Sequence, residues 1–274
     1  MKRLVAIILA LACVLAAGCG KIDKIDENKE GNTVNDIENP AVPASYCVAE
    51  AAYPEMASYP NEMEYISESG EFDSEGFDAV YTAWREDKFA QRSQYEGYSD
   101  GLEGFFTGSI AGFLSGTEGK NRAYSPLNVY MALAMLAEIT EGESRGQILE
   151  LLGNEDVESL RDQAKAIWNA NYSDDGALTS ILANSVWLND SVNFVQDTMD
   201  SLAENYYASS YKGTMGSAGF NKALQDWLNE QTGGLLEEQA SNVSMDPETI
   251  LALASTVYFR AKWSSEFNKT ATTQ

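Results

Sequence analysis

The hydrophobic pattern is most informative at residues 125–137, where a long apolar run begins directly after a capping residue. Ser125 can accept hydrogen bonds from free backbone N–H groups, and Pro126 suits the first helical position, where its missing N–H costs nothing. The residues that follow are apolar nearly all the way round, which predicts a helix buried inside a core. Its one polar side chain is Asn128. Leaving a buried amide unpaired costs about 1–3 kcal/mol, so this amide needs a partner, either locally at the helix cap or on another element.

Helical and strand patterns occupy the rest of the chain. Apolar residues at intervals of three and four predict amphipathic helices, and runs that are apolar on both faces predict strands inside a large sheet. The predicted helices are 77–89, 102–116, 143–152, 155–171, 192–207 and 220–231. The predicted strands are 178–188, 210–213 and 250–263.

The charge balance and the residue inventory narrow the function classes. The 274 residues include 42 acids and 18 bases, a formal net charge of −24. This charge argues against nucleic acid or an anionic membrane surface as a partner. The chain has no histidine, so the Ser-His-Asp and Cys-His routes to nucleophilic catalysis are absent, as is the commonest metal ligand. We expect neither a catalytic residue nor a cofactor.

The N-terminus carries a targeting signal over residues 1–18, with two basic residues before an apolar run too short to span a bilayer. Small residues before Cys19 resemble a bacterial lipoprotein signal, although Ala16 stands where such signals usually carry a large aliphatic residue. Either Cys19 is lipidated and anchors the protein at the outer face of the cell membrane, or the signal is simply cleaved and the protein is secreted. Cys13 leaves with the signal and Cys47 has no partner, so no intrachain disulfide is expected.

Two segments precede the folded domain. Residues 19–76 are rich in acidic residues and proline, which predicts a flexible acidic tether. Residues 77–98 are predicted to form a short helical extension, and residues 99–274 the domain. Scattered tyrosines offer an alternative for the tether, which is that part of it docks on the domain. These tyrosines are Tyr46, Tyr53, Tyr59 and Tyr65.

Motifs across residues 102–267 occur in the order found in serpins and resemble them. They are YSPLNVYMALAML (124–136), GE (142–143) and QIL (147–149) for the B and C helices, LANSVWL (182–188) for the second A-sheet strand, WL (227–228) and TGG (232–234) for the end of the F helix, and LALA (251–254), YF (258–259) and KW (262–263) for the third A-sheet strand.

The resemblance implies an α+β fold in which helices pack around a large central β-sheet. It also implies a function, since a serpin inhibits a serine or cysteine protease by offering a reactive loop as a suicide substrate. The cleaved loop then inserts into the A sheet and carries the protease with it. The partner implied is therefore a target protease, and the chain is not expected to be an enzyme.

Two departures from the family pattern matter. The family usually has asparagine in the third strand where this chain has Ser255, and a small hydroxyl residue in the B helix where this chain has Asn128. The resemblance places both, with Ser125, where the sheet opens, and we hypothesise that the amide has moved from strand to helix. In addition, Gln274 comes near the middle of the family's domain, so the C-terminal part of that domain and the reactive loop are expected to lie outside this chain.

Of two further patterns, one leaves another function open and the other does not. Residues 209–212 fit the S-x-x-K pattern of penicillin-binding enzymes, in which Lys212 would activate Ser209. Asp174, Asp175 and Gly176 form a turn without the alternating oxygen ligands of a calcium loop. Three functions therefore stay open: a suicide-substrate protease inhibitor, a non-inhibitory serpin-like surface lipoprotein with a binding or structural role, and an S-x-x-K acyl-transfer enzyme.

Overall fold

The computed structural model describes residues 42–116, 119 and 121–263. The predicted signal and Cys19 lie outside the described residues. The helices are α1 (Ser74–Arg92), α2 (Leu102–Leu114), α3 (Pro126–Ile139), α4 (Gly142–Leu152), α5 (Val157–Asn171), α6 (Gln196–Asn205), α7 (Ala218–Glu230) and α8 (Glu237–Ala240). The strands are β1 (Cys47–Ala49), β2 (Ser173–Asp174), β3 (Leu178–Asn189), β4 (Ala208–Gly213) and β5 (Leu251–Ala261).

The five strands form one mixed sheet with β3 at its centre. β3 pairs in parallel with β4 on one side and antiparallel with β5 on the other, from Leu178 opposite Ala261 to Leu188 opposite Leu251. β2 folds back onto the start of β3, and β1 pairs antiparallel with the far side of β4. Nearly every residue of β3 is buried, which confirms the prediction of a strand covered on both faces.

Helix α3 runs through the core, as its apolar pattern predicts. Ser125 Oγ accepts a hydrogen bond from the Asn128 N–H at its first turn, and Pro126 occupies the first helical position. Tyr130, Met131 and Met135 are fully buried. The helix contacts α2, α4, α5, α6 and the sheet, so its burial on several sides is confirmed.

Helix α6 begins later than the pattern of residues 192–207 predicts. The Ser191 N–H donates to Asn189 Oδ1 and closes a turn, and Val195 is still extended. Because this turn must first carry the chain away from the end of β3, the helix starts only at Gln196. Of the apolar residues before it, Phe194 packs against the core without being helical, whereas Val195 is exposed.

The prediction of a free acidic tether needs correction for residues 42–66, which lie against the domain. Val42 is in the hydrophobic core, and β1 adds a strand to the sheet. The tyrosines of this segment pack on aromatic side chains of the domain, as the docking alternative describes, with Tyr46 on Phe220 and Tyr53 on Trp168. Aromatic burial thus outweighs the acidic composition that suggested a solvated spacer.

Candidate functional site

A chain of hydrogen-bonded side chains connects helix α3 to the two central strands. Ser125 Oγ donates to Asn128 Oδ1, and Asn128 Nδ2 donates to Ser255 Oγ at 2.8 Å. Ser255 Oγ in turn donates to Asn184 Oδ1 at 2.8 Å, and Asn184 Nδ2 donates to the Tyr206 carbonyl at 3.0 Å. We call this chain the amide array. It gives the half-buried Asn128 amide a partner on a distant element as well as at its own helix cap.

The fold brings these residues together through strand register. Asn184 on β3 lies directly opposite Ser255 on β5, and directly opposed residues of paired strands point to the same face of the sheet. That face meets the first turn of α3, where Ser125 and Asn128 sit. Asn184 is 1% exposed, so its two hydrogen bonds replace those that water would otherwise make.

Ser125, Asn128 and Ser255 were predicted from the sequence, and the structure places all three in the amide array. Asn184 was not predicted, although it lies in the motif LANSVWL. The missing signal was the register of β3 against β5, which pairs Asn184 with Ser255. The array contains only neutral amides and hydroxyls. It can therefore hold elements together, and it contains no general base that could activate its serine hydroxyls.

A second polar network lies at the other end of α3 and was also missed. Glu138 is 5% exposed and accepts hydrogen bonds from Arg161 at 2.6 and 2.8 Å and from Tyr206 Oη at 3.0 Å. These bonds raise the pKa of the Arg161 guanidinium. Burial first, and then the charge of Glu138, raise the pKa of Tyr206. Tyr206 thus joins both networks, through its carbonyl to Asn184 and through its hydroxyl to Glu138.

The outer edge of β5 is open within the part of the chain that the structure describes, where β5 pairs only with β3. Its exposed side chains include Val257 at 53% and Phe259 at 67%. On the opposite face, Tyr258 packs closely against Gly233. β5 is therefore a long strand that is tied to its neighbour and to α3 on one side, with its other edge available for pairing.

The S-x-x-K reading does not survive the geometry. Ser209 and Lys212 lie three positions apart on strand β4, so their side chains point to opposite faces of the sheet. Ser209 Oγ accepts a hydrogen bond from the Ala51 N–H at 3.2 Å, and the Lys212 ammonium lies over the Phe194 ring. Lys212 cannot take a proton from Ser209 in this arrangement.

The acidic turn after β2 serves the fold. Asp175 is fully buried, accepts from the backbone N–H groups of Ala177 and Leu178, and forms an ion pair with Lys88 of α1. Among residues 42–263, leaving aside the few undescribed positions, no cluster of three potential metal ligands occurs. Within the same stretch no helix has both the length and the apolar composition needed to cross a bilayer.

The comparisons with known proteins agree with this architecture. A family model described as "Serpin (serine protease inhibitor)" matches residues 104–274. This chain belongs to the serpin family. It is 30% identical over 162 residues to the leukocyte elastase inhibitor of Xenopus laevis, covering 56% of this chain and 41% of that protein. It is 26% identical over 164 residues to Serpin-Z2A of Oryza sativa subsp. japonica, covering 56% and 38%. The chain thus spans about two-fifths of these serpins.

Solved serpin structures share the fold. Arabidopsis AtSerpin1 in its native stressed conformation is 22% identical, with a TM-score of 0.54, over 65% of this chain and 47% of that chain. The thermophilic serpin tengpin in its native state is 19% identical, with a TM-score of 0.51, over 81% of this chain and 47% of that chain. The α+β serpin fold, with helices around a mixed sheet, is therefore established for the described residues.

Proposed function

We propose that this chain is the sheet-bearing part of a serpin-type inhibitor of serine or cysteine proteases. The complete inhibitor acts as a suicide substrate, and its cleaved reactive loop enters the sheet beside β5. The serpin family model that matches residues 104–274 is the observation that carries this proposal, and the long β3–β5 pair is the sheet that an inserting strand would join.

The amide array supports the same function. It fastens β5 to β3 through Asn184 and to α3 through Asn128, at 2.8 Å in both contacts with Ser255. A sheet that must admit a strand has to move past α3 while it stays intact. In this proposal Ser125, Asn128 and Ser255 form the sheet-opening region, and their small number of directional bonds sets how easily the sheet moves.

The test uses a protein that carries the complete serpin domain. We expect it to form an SDS-stable complex with at least one of trypsin, subtilisin or papain, because the acyl-enzyme is trapped when the loop inserts. The same proteases with their catalytic nucleophile replaced by alanine should give no complex, and the 274-residue chain alone should give none either. Cleavage of the complete domain by every active protease without a stable complex would refute the inhibitory function.

A non-inhibitory binding or structural role is the second candidate, because the family match over residues 104–274 fits this role as well as inhibition. Small residues at the hinge before the reactive loop favour inhibition, whereas bulky or charged ones oppose it. The hinge sequence of the complete domain therefore separates the two candidates.

We also propose that the protein is exported and lipidated at Cys19. The support is the short apolar signal of residues 1–18, which ends in small residues directly before the cysteine. In cells given radiolabelled palmitate, the protein should carry label and remain with the membrane, and Cys19→Ser should lose both properties. Cys47→Ser, the matched control, should keep them. Label that persists in the Cys19→Ser variant would contradict lipidation at this residue.

A further inference from the structure

We propose that the docked N-terminal segment, residues 42–92, regulates the amide array, and that Tyr53 is the residue through which it acts. We call this segment the strap. It lies outside residues 104–274, which the serpin family model matches. The inference rests on the proposed function of the array in sheet opening, and it concerns how an element outside the matched domain sets the stability of that array.

The strap is fastened to the sheet at two separate places. At β4, β1 pairs with the strand, the Lys212 N–H donates to the Tyr46 carbonyl at 2.8 Å, and the Ala51 N–H donates to Ser209. At the turn after β2, Lys88 of α1 forms its ion pair with the fully buried carboxylate of Asp175. Since these attachments lie on either side of Tyr53, they hold the tyrosine against the domain.

Tyr53 closes an aromatic cluster at the junction of α5, α6 and β4. Its ring centroid lies 5.0 Å from that of Trp168, 5.8 Å from that of Tyr172 and 6.3 Å from that of Tyr207. Trp168 and Tyr207 are stacked face to face at 3.6 Å, and the Asn169 side chain bonds the Tyr207 hydroxyl. The ring from the strap therefore covers a stack whose other members belong to the domain.

Tyr207 is held by this cluster in an unfavourable backbone conformation. Its φ is +49°, and it is the only residue other than glycine with a positive φ in the part of the chain that the structure describes. An aromatic residue in the left-handed region persists only where the surroundings hold it there. The stack with Trp168, completed by Tyr53, provides that restraint.

The same torsion positions the end of the amide array. The peptide group that carries the Tyr206 carbonyl is bonded to the Tyr207 Cα through the bond whose rotation is φ of Tyr207. That carbonyl accepts the hydrogen bond of Asn184 Nδ2 at 3.0 Å, and Asn184 in turn accepts from Ser255. When Tyr53 leaves the cluster, Tyr207 can relax towards negative φ, the Tyr206 carbonyl turns, and the Asn184 amide loses its partner. Undocking of the strap thus weakens the bridge between β3 and β5.

Amide hydrogen exchange of the 274-residue chain, resolved by peptide, tests this route. We expect Tyr53→Ala to raise exchange in the peptides covering β3 and β5 by about tenfold, because sub-global opening there becomes easier. Tyr53→Phe keeps the ring and should exchange like the parent protein. Tyr46→Ala is the matched control, since it removes a strap tyrosine that packs on Phe220 instead of Tyr207.

A second variant tests the torsion itself. Glycine adopts positive φ without cost, so Tyr207→Gly removes both the stack and the strain. In the parent protein, Tyr53→Ala is expected to raise exchange in β3 and β5 by about tenfold. If the strap acts through Tyr207, the same change made in the Tyr207→Gly variant should alter exchange there by less than twofold.

Either of two results would overturn the proposal. In the first, Tyr53→Ala speeds exchange only within the strap and leaves β3 and β5 unchanged, so the strap is a passive attachment. In the second, Tyr46→Ala speeds exchange in β3 and β5 as much as Tyr53→Ala does, so the effect does not pass through Tyr53. Both results leave the protease-complex assay unaffected, and a failed complex assay leaves the exchange result standing, so the two proposals can fail separately.

Discussion

The exchange of the amide and hydroxyl between α3 and β5 offers the sharpest test of the amide array. The variants are Asn128→Ser, Ser255→Asn and the pair together. Each single change breaks the 2.8 Å hydrogen bond between Asn128 Nδ2 and Ser255 Oγ, whereas the double variant again has one amide facing one hydroxyl. If the amide has moved from strand to helix relative to other serpins, the reversed pair should restore what each single change removes.

The magnitudes follow from the contacts. Asn128→Ser leaves the Ser255 hydroxyl without a donor and the Ser125 hydroxyl without its acceptor, and orphaned partly buried groups of this kind cost about 2 kcal/mol in total. Ser255→Asn forces a larger side chain between β5 and α3, which costs about 2 kcal/mol by overpacking. Simple addition would give about 4 kcal/mol for the pair. We expect the double variant to lose about 1 kcal/mol, a coupling of about 3 kcal/mol.

Urea unfolding followed by tryptophan fluorescence measures these differences, since Trp168 and Trp187 are fully buried and report on the core. Asn154→Ser is the matched control for the amide-to-hydroxyl change, because Asn154 bonds Tyr130 and Gln163 and does not touch the array. Its cost should add to that of Ser255→Asn. If the costs of Asn128→Ser and Ser255→Asn also add to within about 0.5 kcal/mol, the two residues are independent and the exchange hypothesis is wrong.

Three further expectations concern charge and titration. Lys88→Met leaves the buried Asp175 carboxylate without its ion-pair partner, so the free energy of unfolding in urea should fall by about 3 kcal/mol. Adding Asp175→Asn should recover part of that loss. No recovery would mean that the ion pair is not the cause. Burial and then the charge of Glu50 raise the pKa of the Cys47 thiol. In a chain with Cys13 and Cys19 replaced by serine, alkylation of Cys47 should therefore reach its half-maximal rate at a higher pH than alkylation of a free cysteine peptide. Glu50→Gln should lower that pH. Burial raises the pKa of several tyrosines, which favours the folded state below the pKa of an unfolded tyrosine, about 10, and withdraws that stabilisation as pH rises above it. The phenolate absorbance that these buried tyrosines contribute should therefore appear together with loss of circular dichroism, and ionisation of all the tyrosines in a folded chain would contradict this. These tyrosines are Tyr53, Tyr130, Tyr172, Tyr206 and Tyr211.

The elements defined by local signals were predictable from the sequence. The cap and apolar run of α3, the glycine at position 153 that ends α4, and the two long central strands all carry patterns that act over a few residues. The predicted end of β5 differs from the observed one by two residues. Such short-range patterns decide whether an element exists, and the family resemblance then supplied the arrangement of the elements.

The partners of the polar residues could not be predicted in the same way. Glu138 follows directly after the apolar run, and its partner Arg161 lies 23 positions further along the chain and holds it inside. The partner of Asn184 follows only from the strand register, which places it opposite Ser255. The docking of the strap depends on aromatic contacts between residues more than a hundred positions apart. Each of these depends on pairing between distant segments, which the pattern of one segment does not encode.

The strap also limits where a further strand can be added to the sheet, because its strand β1 covers the outer edge of β4. β1 spans only three residues, so it offers few backbone groups to an added strand. Short strands are poor templates, whereas β5 presents eleven residues. Within the described residues the sheet therefore has one long edge that can accept a further strand, that of β5. A strand from a loop and a strand from another polypeptide would compete for this edge.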